Sequence, residues 1–377
     1  MAMARTGGAC TVLFDFFPSR ALTMYIAKTF ILRIFAVLGM LVMVLFMLDL
    51  LGNTADILEA PGNGNAELLK YASLRIPQLI QRFVPYSVLL ATIITLAGYS
   101  ANSEVVAMKA AGLSAHQILA PLLLTAGVLA MLSFGFNERV VTRATATLAA
   151  WKAVDYGPIP EDPTTRANVY FSDGRDILMA RQLAGRDERT VLTGVTLYGR
   201  DDAGMITSMV DASRATWAGP GWRLEDARRY DVSTTETRDL APDVVMAEGV
   251  TLDQIALRRV VAEEEPIFEL ARSIEALDEA GRRTAELKAK WWNKLSGPLA
   301  AVLMPLLGAV AGFGLARSGQ LFARAVLGMA LGFAYFVVEN AALAMGSFGG
   351  YPPLLAAWGP FMLFLLVGET VLIRTEE

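Results

Sequence analysis

The stretch Ser100-Ala-Asn-Ser-Glu-Val-Val-Ala-Met-Lys-Ala-Ala-Gly-Leu-Ser-Ala-His-Gln117 separates two long apolar runs, at residues 84–99 and 118–136. A helix needs about 20 mainly apolar residues to cross a bilayer, so each run is a candidate membrane span. The polar stretch between them is too short to form a domain of its own. Its local structure therefore decides how the two spans are joined.

The first part of this stretch predicts a short helix at residues 103–112. Asn102 or Ser103 can cap its N-terminus, and Glu104 then lies in the first turn, where the helix dipole favours a negative charge. Gly112 is a typical C-terminal stop. Three apolar residues recur between these ends at helical spacing, namely Val105, Met108 and Leu113.

Ser114-Ala-His-Gln117 is typical of a capping box and predicts the start of the next helix. The short helix is then fixed at both ends to spanning helices and lies along the membrane surface. Such a helix can pass a push from a soluble partner into the membrane. The alternative is an ordinary capped turn with no mechanical role.

The composition is that of an integral membrane protein and excludes several classes of enzyme. Of the 377 residues 54% are hydrophobic and 19% are charged, against about 25% charged in a soluble domain. Cys10 and His116 are the only residues of their types, which excludes intrachain disulfides and HExxH zinc sites. No GxxxxGK[ST] phosphate loop occurs. We expect no catalytic residue, no metal site, no cofactor and no nucleic-acid partner.

Apolar runs and loop charges together predict six membrane spans. Lys and Arg are concentrated in the loops on the side of the N-terminus, so both termini are expected in the cytoplasm, together with the helix at 103–112. Residues 1–23 are expected to be a tail, either native or preceding a true start at Met24. The six spans are expected at about Phe30–Leu51, 84–99, Ile118–Phe136, Leu295–Leu315, Leu321–Met345 and Leu354–Ile373.

Residues 138–265, between the third and fourth spans, predict an all-β domain on the outer side of the membrane. Three pairs of short apolar segments flank turn sequences, which indicates hairpins. The turn sequences are Asp173-Gly174, Asp201-Asp-Ala-Gly204 and Gly219-Pro-Gly221. Strands at this spacing favour an antiparallel sandwich, a jelly roll or an open barrel. Either a lipid groove or a simple spacer domain fits this pattern.

Residues 266–377 predict a linker helix followed by the last three spans, and two features there are candidates for function. Basic residues just before span four can attract lipid phosphate, or can pair with Glu279 and Glu286 on a solvated helix face. Glu339 lies inside span five, where a carboxylate needs water or a partner. The basic residues are Arg282, Arg283, Lys288, Lys290 and Lys294.

The order of these features resembles the YjgP/YjgQ family of lipopolysaccharide export permeases, over residues 24–374. The matching segments are Phe83-Val-Pro85, Ser103-Glu-Val-Val-Ala-Met108 with Ala111-Gly112, Asn137-Glu138 and Tyr351-Pro-Pro-Leu354. Trp292-Asn-Lys294 followed by Pro298-Leu299 is more similar to the LptG branch than to the LptF branch. Residues 24–137 would then hold three spans and the coupling helix, 138–265 a periplasmic β-jellyroll, and 266–377 the remaining spans.

The resemblance implies a non-catalytic transport subunit in the inner membrane of a Gram-negative bacterium. Its implied partners are an LptF-like permease, an LptB-like ATPase dimer, an LptC-like single-span protein, and lipopolysaccharide or a related anionic glycolipid. ATP would be bound by the partner subunit. The implied ATPase-coupling residues are Ser103, Glu104, Val105, Met108, Lys109 and Gly112. The expected lipid-binding residues are Lys70, Arg75, Lys152, Lys288, Lys290, Lys294 and Glu339.

One departure from the family pattern concerns the outer end of span one, where this chain has Asn53, Asp56 and Glu59 in place of expected lysines. Either other basic residues replace them or the glycolipid carries fewer phosphates. A rival interpretation is an efflux or lipoprotein-release permease, which would have four spans with the outer domain after the first. A lipid-modifying enzyme is a third class, for which the sequence offers no base, nucleophile or metal cluster.

Overall fold

A computed structural model describes residues 18–158, 165–173, 176–185, 187–201, 203–252, 254–255, 260–279, 281–312 and 321–376. Most of the predicted tail, the Gly174 turn and the predicted end of span four at Leu315 lie outside the described residues. The first helix begins at Arg20, before the expected start of structure at Met24.

The described part of the chain is mainly helical. The helices are α1 (Arg20–Glu59), α2 (Asn65–Ala101), α3 (Glu104–Ala110), α4 (Ala115–Phe136), α5 (Thr142–Ala153), α6 (Ile267–Glu279), α7 (Ala285–Gly312), α8 (Leu321–Ser347) and α9 (Pro353–Glu376). A π-helical turn, Asn137–Val141, joins α4 to α5 and makes them nearly continuous. A π turn inside a helix often marks a functional position.

Five helices of the described residues are long and apolar enough to cross a membrane, where the sequence predicted six. They are Arg20–Glu59, Asn65–Ala101, Ala115–Ala153, Ala325–Ser347 and Pro353–Arg374. Helix α7 contains most of the predicted fourth span but is not among the five. Three spanning helices precede the β region and two follow it.

The β region forms one antiparallel sheet. Its strands are β1 (Arg166–Asp173), β2 (Asp176–Ala184), β3 (Val191–Arg200), β4 (Ile206–Trp217), β5 (Trp222–Glu225), β6 (Arg228–Asp231), β7 (Glu236–Asp239) and β8 (Val244–Met246). The strand order is β1-β2-β3-β4-β5-β8, and β6 pairs with both β4 and β7. The first two predicted hairpins are confirmed as β1–β2 and β3–β4. The third is confirmed only as β4–β5, because the chain leaves that register after Glu225 and β6 pairs farther along β4.

One face of the sheet carries an apolar core. Leu178, Leu192, Val195 and Trp222 are among its most buried side chains. Alternation of buried and exposed residues along β4 is the pattern of a strand with one covered face. The Trp222 indole N–H donates to the Val250 carbonyl at 2.8 Å, so this buried polar group is satisfied.

The chain divides into two compact units, and the boundary between them falls within the long helices. One contains the sheet, α6 and the ends of three spanning helices, as Leu48–Pro77 and Val140–Arg282. The other contains α1 up to Met47, residues Gln78–Arg139 and the chain from Arg283 onward. The unit that holds the sheet is therefore larger than the predicted domain at 138–265.

Small residues allow close helix packing in the unit that contains α7 and α8. A Cβ at Gly308 on α7 would lie 2.8 Å from the Thr92 side chain, and one at Gly332 on α8 would overlap the Leu89 side chain. Both contacts are made to α2. Helices in lipid associate through such close van der Waals packing, because burial from lipid provides no hydrophobic gain.

Candidate coupling and lipid sites

Helix α3 lies where the sequence predicted the short helix, with one buried face and one exposed face. Val105 and Met108 are 6% and 8% exposed, whereas Val106 is 58% exposed. Lys109 is also exposed. A seven-residue helix anchored by two apolar side chains thus presents its other face to a partner.

The two ends of α3 are fixed differently from each other. Gly112 has a φ of 86°, and the N–H groups of Gly112 and Leu113 donate to the carbonyls of Lys109 and Met108. This is the Schellman arrangement that a C-terminal glycine favours. Ser103 stands at the N-cap, but in a left-handed conformation, and its side chain makes no capping hydrogen bond. The expected side-chain cap is therefore absent at this end.

The capping box at the start of α4 is confirmed. The Ser114 side chain accepts from the Gln117 N–H at 3.2 Å, and the Gln117 side chain accepts from the Ser114 N–H at 3.0 Å. The spanning helix α4 thus begins soon after α3 ends, and the capping box fixes its first turn. His116, in the first turn of α4, contacts Glu369 of α9 at 3.2 Å.

Glu104 is held at the N-terminal end of α3 by a residue of α1. Its Oε2 accepts from the Tyr25 hydroxyl at 3.4 Å. No sequence pattern indicated this contact, because Tyr25 precedes the apolar part of span one. The predicted coupling residues Ser103, Val105, Met108, Lys109 and Gly112 thus lie together with Glu104 on or beside one short helix.

A second polar cluster joins the ends of α1 and α2. The Arg75 guanidinium donates to the two carboxylate oxygens of Asp49 at 2.7 and 3.1 Å, and the Tyr71 hydroxyl donates to the same carboxylate at 2.6 Å. Asp49 and Arg75 are equally distant from Gly62 in the intervening loop, so an antiparallel helix pair brings them opposite each other. Sequence reasoning missed this pair, although the symmetry about the loop could have indicated it.

Lys152 of α5 and Lys70 of α2 extend this cluster as exposed cations. The Lys152 ammonium donates to the Asn53 side-chain oxygen at 3.3 Å and lies 5.8 Å from the Tyr71 ring centroid. The Lys70 ammonium lies 5.5 Å from the Trp151 ring centroid. Each lysine therefore lies over an aromatic ring of the other helix, which is an attractive cation–π arrangement.

Tyr156 closes this cluster from the loop after α5. Its hydroxyl donates to the Asn53 side-chain oxygen at 3.2 Å, and its carbonyl accepts from Asn63 at 2.8 Å. Burial and the nearby carboxylates of Asp56 and Asp49 raise the pKa of the Tyr156 phenol. The phenol therefore stays a hydrogen-bond donor at physiological pH. Asn53, where a lysine was expected, is in contact with Lys152 instead.

Two lysines of α7 form ion pairs, and only one of these pairs uses an acid, Glu286, that the solvated-helix alternative named. Lys290 forms an ion pair with Glu286 at 2.9 Å, one turn before it. Lys294 forms a largely buried ion pair with Glu138 at 3.5 Å. Lys288 lies on the same helix and is partly buried. The structure thus groups Lys70, Arg75 and Lys152 in one compact unit and the α7 lysines in the other.

Glu339 is buried in α8. Its exposed fraction is 8%, and among the described residues no basic side chain forms an ion pair with it. Phe336, one turn earlier, stacks on Tyr86 of α2 with ring centroids 4.0 Å apart. The carboxylate is therefore largely shielded from solvent within this chain.

The described residues contain no group of three or more His, Cys, Asp or Glu side chains that could hold a metal ion. What they contain instead is a short helix with one exposed face, in one unit, and two lysines that lie over aromatic rings, in the other.

The sequence model of the family described as lipopolysaccharide export system permease LptF/LptG matches residues 24–374. The chain belongs to this family. It is 24% identical over 365 residues to the lipopolysaccharide export system permease protein LptG of Escherichia coli strain K12, covering 95% of this chain and 99% of that protein. It is also 24% identical over 367 residues to the LptG of Haemophilus influenzae, covering 94% and 98%.

Membership of the LptF/LptG family confirms the resemblance noted from the sequence and makes the chain a permease. The matched region contains α3, the Asp49–Arg75 pair and the sheet, so all parts of both candidate sites fall within it. The order of three spanning helices, a sheet and further spanning helices also excludes the rival four-span layout with the outer domain after the first span.

Proposed function

We propose that this permease is the LptG-like subunit of an ATP-driven exporter of lipopolysaccharide or a related anionic glycolipid. It takes lipid from the outer leaflet of the inner membrane and passes it to a periplasmic bridge. It works beside an LptF-like permease and an LptC-like single-span protein, and an LptB-like ATPase dimer supplies the energy. The chain itself catalyses no reaction and needs no cofactor.

In this proposal helix α7 also crosses the membrane, as the fourth span in chain order, and brings the number of spans to six. Both termini and α3 are then cytoplasmic. The sheet forms a jellyroll-like domain in the periplasm. The concentration of Lys and Arg in the loops on the side of the N-terminus supports this orientation. Two features of α7 support its assignment as a span: the Trp291-Trp292 pair, which is typical of a membrane interface, and the apolar segment that follows it.

The observation that carries the proposal is the geometry of α3 within a chain of this family. Val105 and Met108 anchor the helix to the membrane unit, and its exposed face is available to an ATPase. Closure of the ATPase pair would push α3, and the spans joined to it would narrow the lipid cavity between the two permeases. Moving acyl chains out of a bilayer costs about 0.8 kcal/mol per CH₂, so an energy source outside the chain is required.

The proposed lipid contacts begin with Lys70 and Lys152, which are exposed and lie over aromatic rings. They stand where the lysines missing from span one were expected to act. Arg75 contributes through its position beside them, although Asp49 occupies its guanidinium. Lys288, Lys290, Lys294 and Glu339 remain further proposed contacts.

The test of this function is the substitution Glu104→Lys in the full chain, expressed with its partner subunits. We expect loss of the co-purifying ATPase and of lipid export, with normal insertion into the membrane, because a positive charge replaces the acceptor at the end of α3. Glu104→Ala should have the same effect in weaker form. The matched control is Glu275→Lys on the exposed face of α6, which should change neither quantity.

Normal ATPase co-purification and normal export by the Glu104→Lys variant would contradict the coupling role of α3. Mass spectrometry of lipid that co-purifies with the complex tests the substrate class separately. A phosphorylated glycolipid is expected, and recovery of phospholipid alone would contradict the proposed substrate.

A further inference from the structure

Three side chains connect α3 to the first half of α1. Glu104 accepts from the Tyr25 hydroxyl, and the Tyr25 ring stacks on Tyr99 at the end of α2, with centroids 6.0 Å apart and planes inclined by 28°. Arg33, two turns farther along α1, lies 5.9 Å from the same Tyr99 ring. The contacts thus run from α3 through the end of α2 to an arginine inside the apolar part of α1.

Arg33 is held by backbone rather than by a carboxylate. Its Nη1 donates to the Ile94 carbonyl of α2 at 3.1 Å, and none of the acidic side chains among the described residues forms an ion pair with it. The guanidinium fits against Gly98, where a Cβ would lie 3.4 Å from Nη2. Charged side chains within spans are costly and usually functional, which makes this arrangement informative.

The most buried side chains of the first half of α1 form a plain apolar row, which by itself fixes no position along a neighbouring helix. The row consists of Ile26, Phe30, Ile34, Leu38 and Val42, each at most 8% exposed. Burial from lipid gives such a row no hydrophobic gain, and residues of similar size at a spacing of four can shift along a neighbour by one turn. In the first half of α1 the polar contacts of Tyr25 and Arg33 therefore help to fix its position against Tyr99 and Ile94, as the Asp49–Arg75 pair does for the second half.

We propose that Tyr25 and Arg33 are positioning residues that make the first half of α1 move together with α3. A push on α3 then reaches span one directly through these contacts, in addition to passing along the spans that α3 joins. The inference rests on the proposed function, since span one would border the lipid cavity. It assigns the transfer of motion from α3 to span one to two residues outside the coupling segment 103–112.

The first experiment measures lipid released per ATP hydrolysed by the full complex in vesicles. Arg33→Met keeps a long apolar side chain but removes every donor, and Gly98→Leu displaces the guanidinium. Both should retain the ATPase and its hydrolysis while the lipid released per ATP falls about tenfold, the effect of losing one or two charge-assisted hydrogen bonds. In the Tyr25→Phe variant the lipid released per ATP should fall by a smaller factor. Gly127→Leu is the control, because a Cβ at Gly127 meets no protein atom within 4 Å.

The second experiment measures the distance between spin labels at Leu32→Cys and Val106→Cys, in a Cys10→Ser background. Both labelled positions are exposed, at 72% and 58%. If α1 and α3 move together, this distance is the same in the nucleotide-free and ATP-bound complex. In the Arg33→Met variant it should change when ATP binds.

Unchanged coupling in the Arg33→Met and Gly98→Leu variants, or a distance that changes with ATP in the unsubstituted complex, would overturn the inference. Loss of ATPase binding by these variants would also overturn it, because the contacts would then serve only to hold the fold. None of these outcomes touches the proposed function. That function fails separately, if the unsubstituted chain binds no ATPase.

Discussion

Replacing Asp49 by asparagine is expected to strengthen the binding of a phosphate-bearing lipid at the cluster that contains Lys70 and Lys152. Asp49 is the carboxylate that occupies Arg75, at 2.7 and 3.1 Å. Asparagine removes this negative charge, so the cluster of Arg75, Lys70 and Lys152 attracts an anion more strongly. Asn53 keeps Lys152 at the same place, since that contact does not involve the Asp49 carboxylate.

The size of the effect follows from Coulomb's law. One additional unit charge about 8 Å from a phosphate contributes about 0.5 kcal/mol in bulk water and about 2 kcal/mol at an effective dielectric constant of about 20. Arg75 and Asp49 are 27% and 19% exposed, so the real value lies between these limits. The dissociation constant should therefore fall by about 2- to 30-fold.

The assay is titration of the full chain in detergent with a diphosphorylated glycolipid and with its dephosphorylated analogue, at low and moderate salt. Asp49→Asn should bind the phosphorylated lipid more tightly, less so as salt rises, and the analogue as before. Tyr71→Phe removes one hydrogen bond from Asp49 but leaves Arg75 paired, so it should show no gain. Asp243→Asn, at an exposed left-handed position that asparagine tolerates, controls for the change of net charge.

Equal or weaker binding of the phosphorylated lipid by Asp49→Asn, in protein that elutes and melts like the unsubstituted chain, would refute the reasoning. The same gain for the dephosphorylated analogue would also refute it, because the released charge would then not be acting on phosphate.

Two further predictions concern stability of the full chain. Gly308→Ala should destabilise the chain by about 1–3 kcal/mol, because a Cβ there lies 2.8 Å from the stiff Thr92 side chain. Gly135→Ala is the control, since a Cβ at Gly135 has open space around it. Melting temperatures in detergent that fall equally for both variants would contradict this prediction. Burial raises the pKa of the Glu264 carboxyl although Arg166 opposes the shift. The folded protein therefore holds that proton more strongly than the unfolded chain does. The melting temperature of the unsubstituted chain, relative to that of the Glu264→Gln variant, should fall as pH rises from about 4 to about 7. A difference that stays constant over this range would contradict the prediction.

The elements with a strong local signal were predictable from the sequence. The capping box at Ser114, the stop at Gly112 and the first two hairpins depend on residues within a few positions of each other. The third hairpin was only partly predictable, because the pairing of β6 with β4 rather than with β5 depends on a contact across the sheet. No sequence feature marks that choice of partner.

The candidate sites were less predictable because they depend on which faces of the spanning helices meet. Helix α4 is apolar on all sides, so its sequence does not reveal the face that contacts other helices. For the same reason the partners of Lys294 and Arg33 could not be named from the sequence. Only Asp49 and Arg75 had a readable signal, their symmetric placement about the loop at residues 60–64.

The polar side chains on the spanning helices together explain how such uniform helices choose one packing. Besides the Arg33 contact, Gln81 of α2 accepts from the Ser133 hydroxyl of α4 at 2.8 Å, and Lys294 of α7 pairs with Glu138 beyond α4. Each contact joins two helices at a single register, and shifting one helix by a turn would leave a polar group unpaired in lipid, which costs several kcal/mol. A permease must also change shape during transport. Because apolar rows tolerate sliding and the polar contacts do not, we expect helices joined by a polar contact to move as one body.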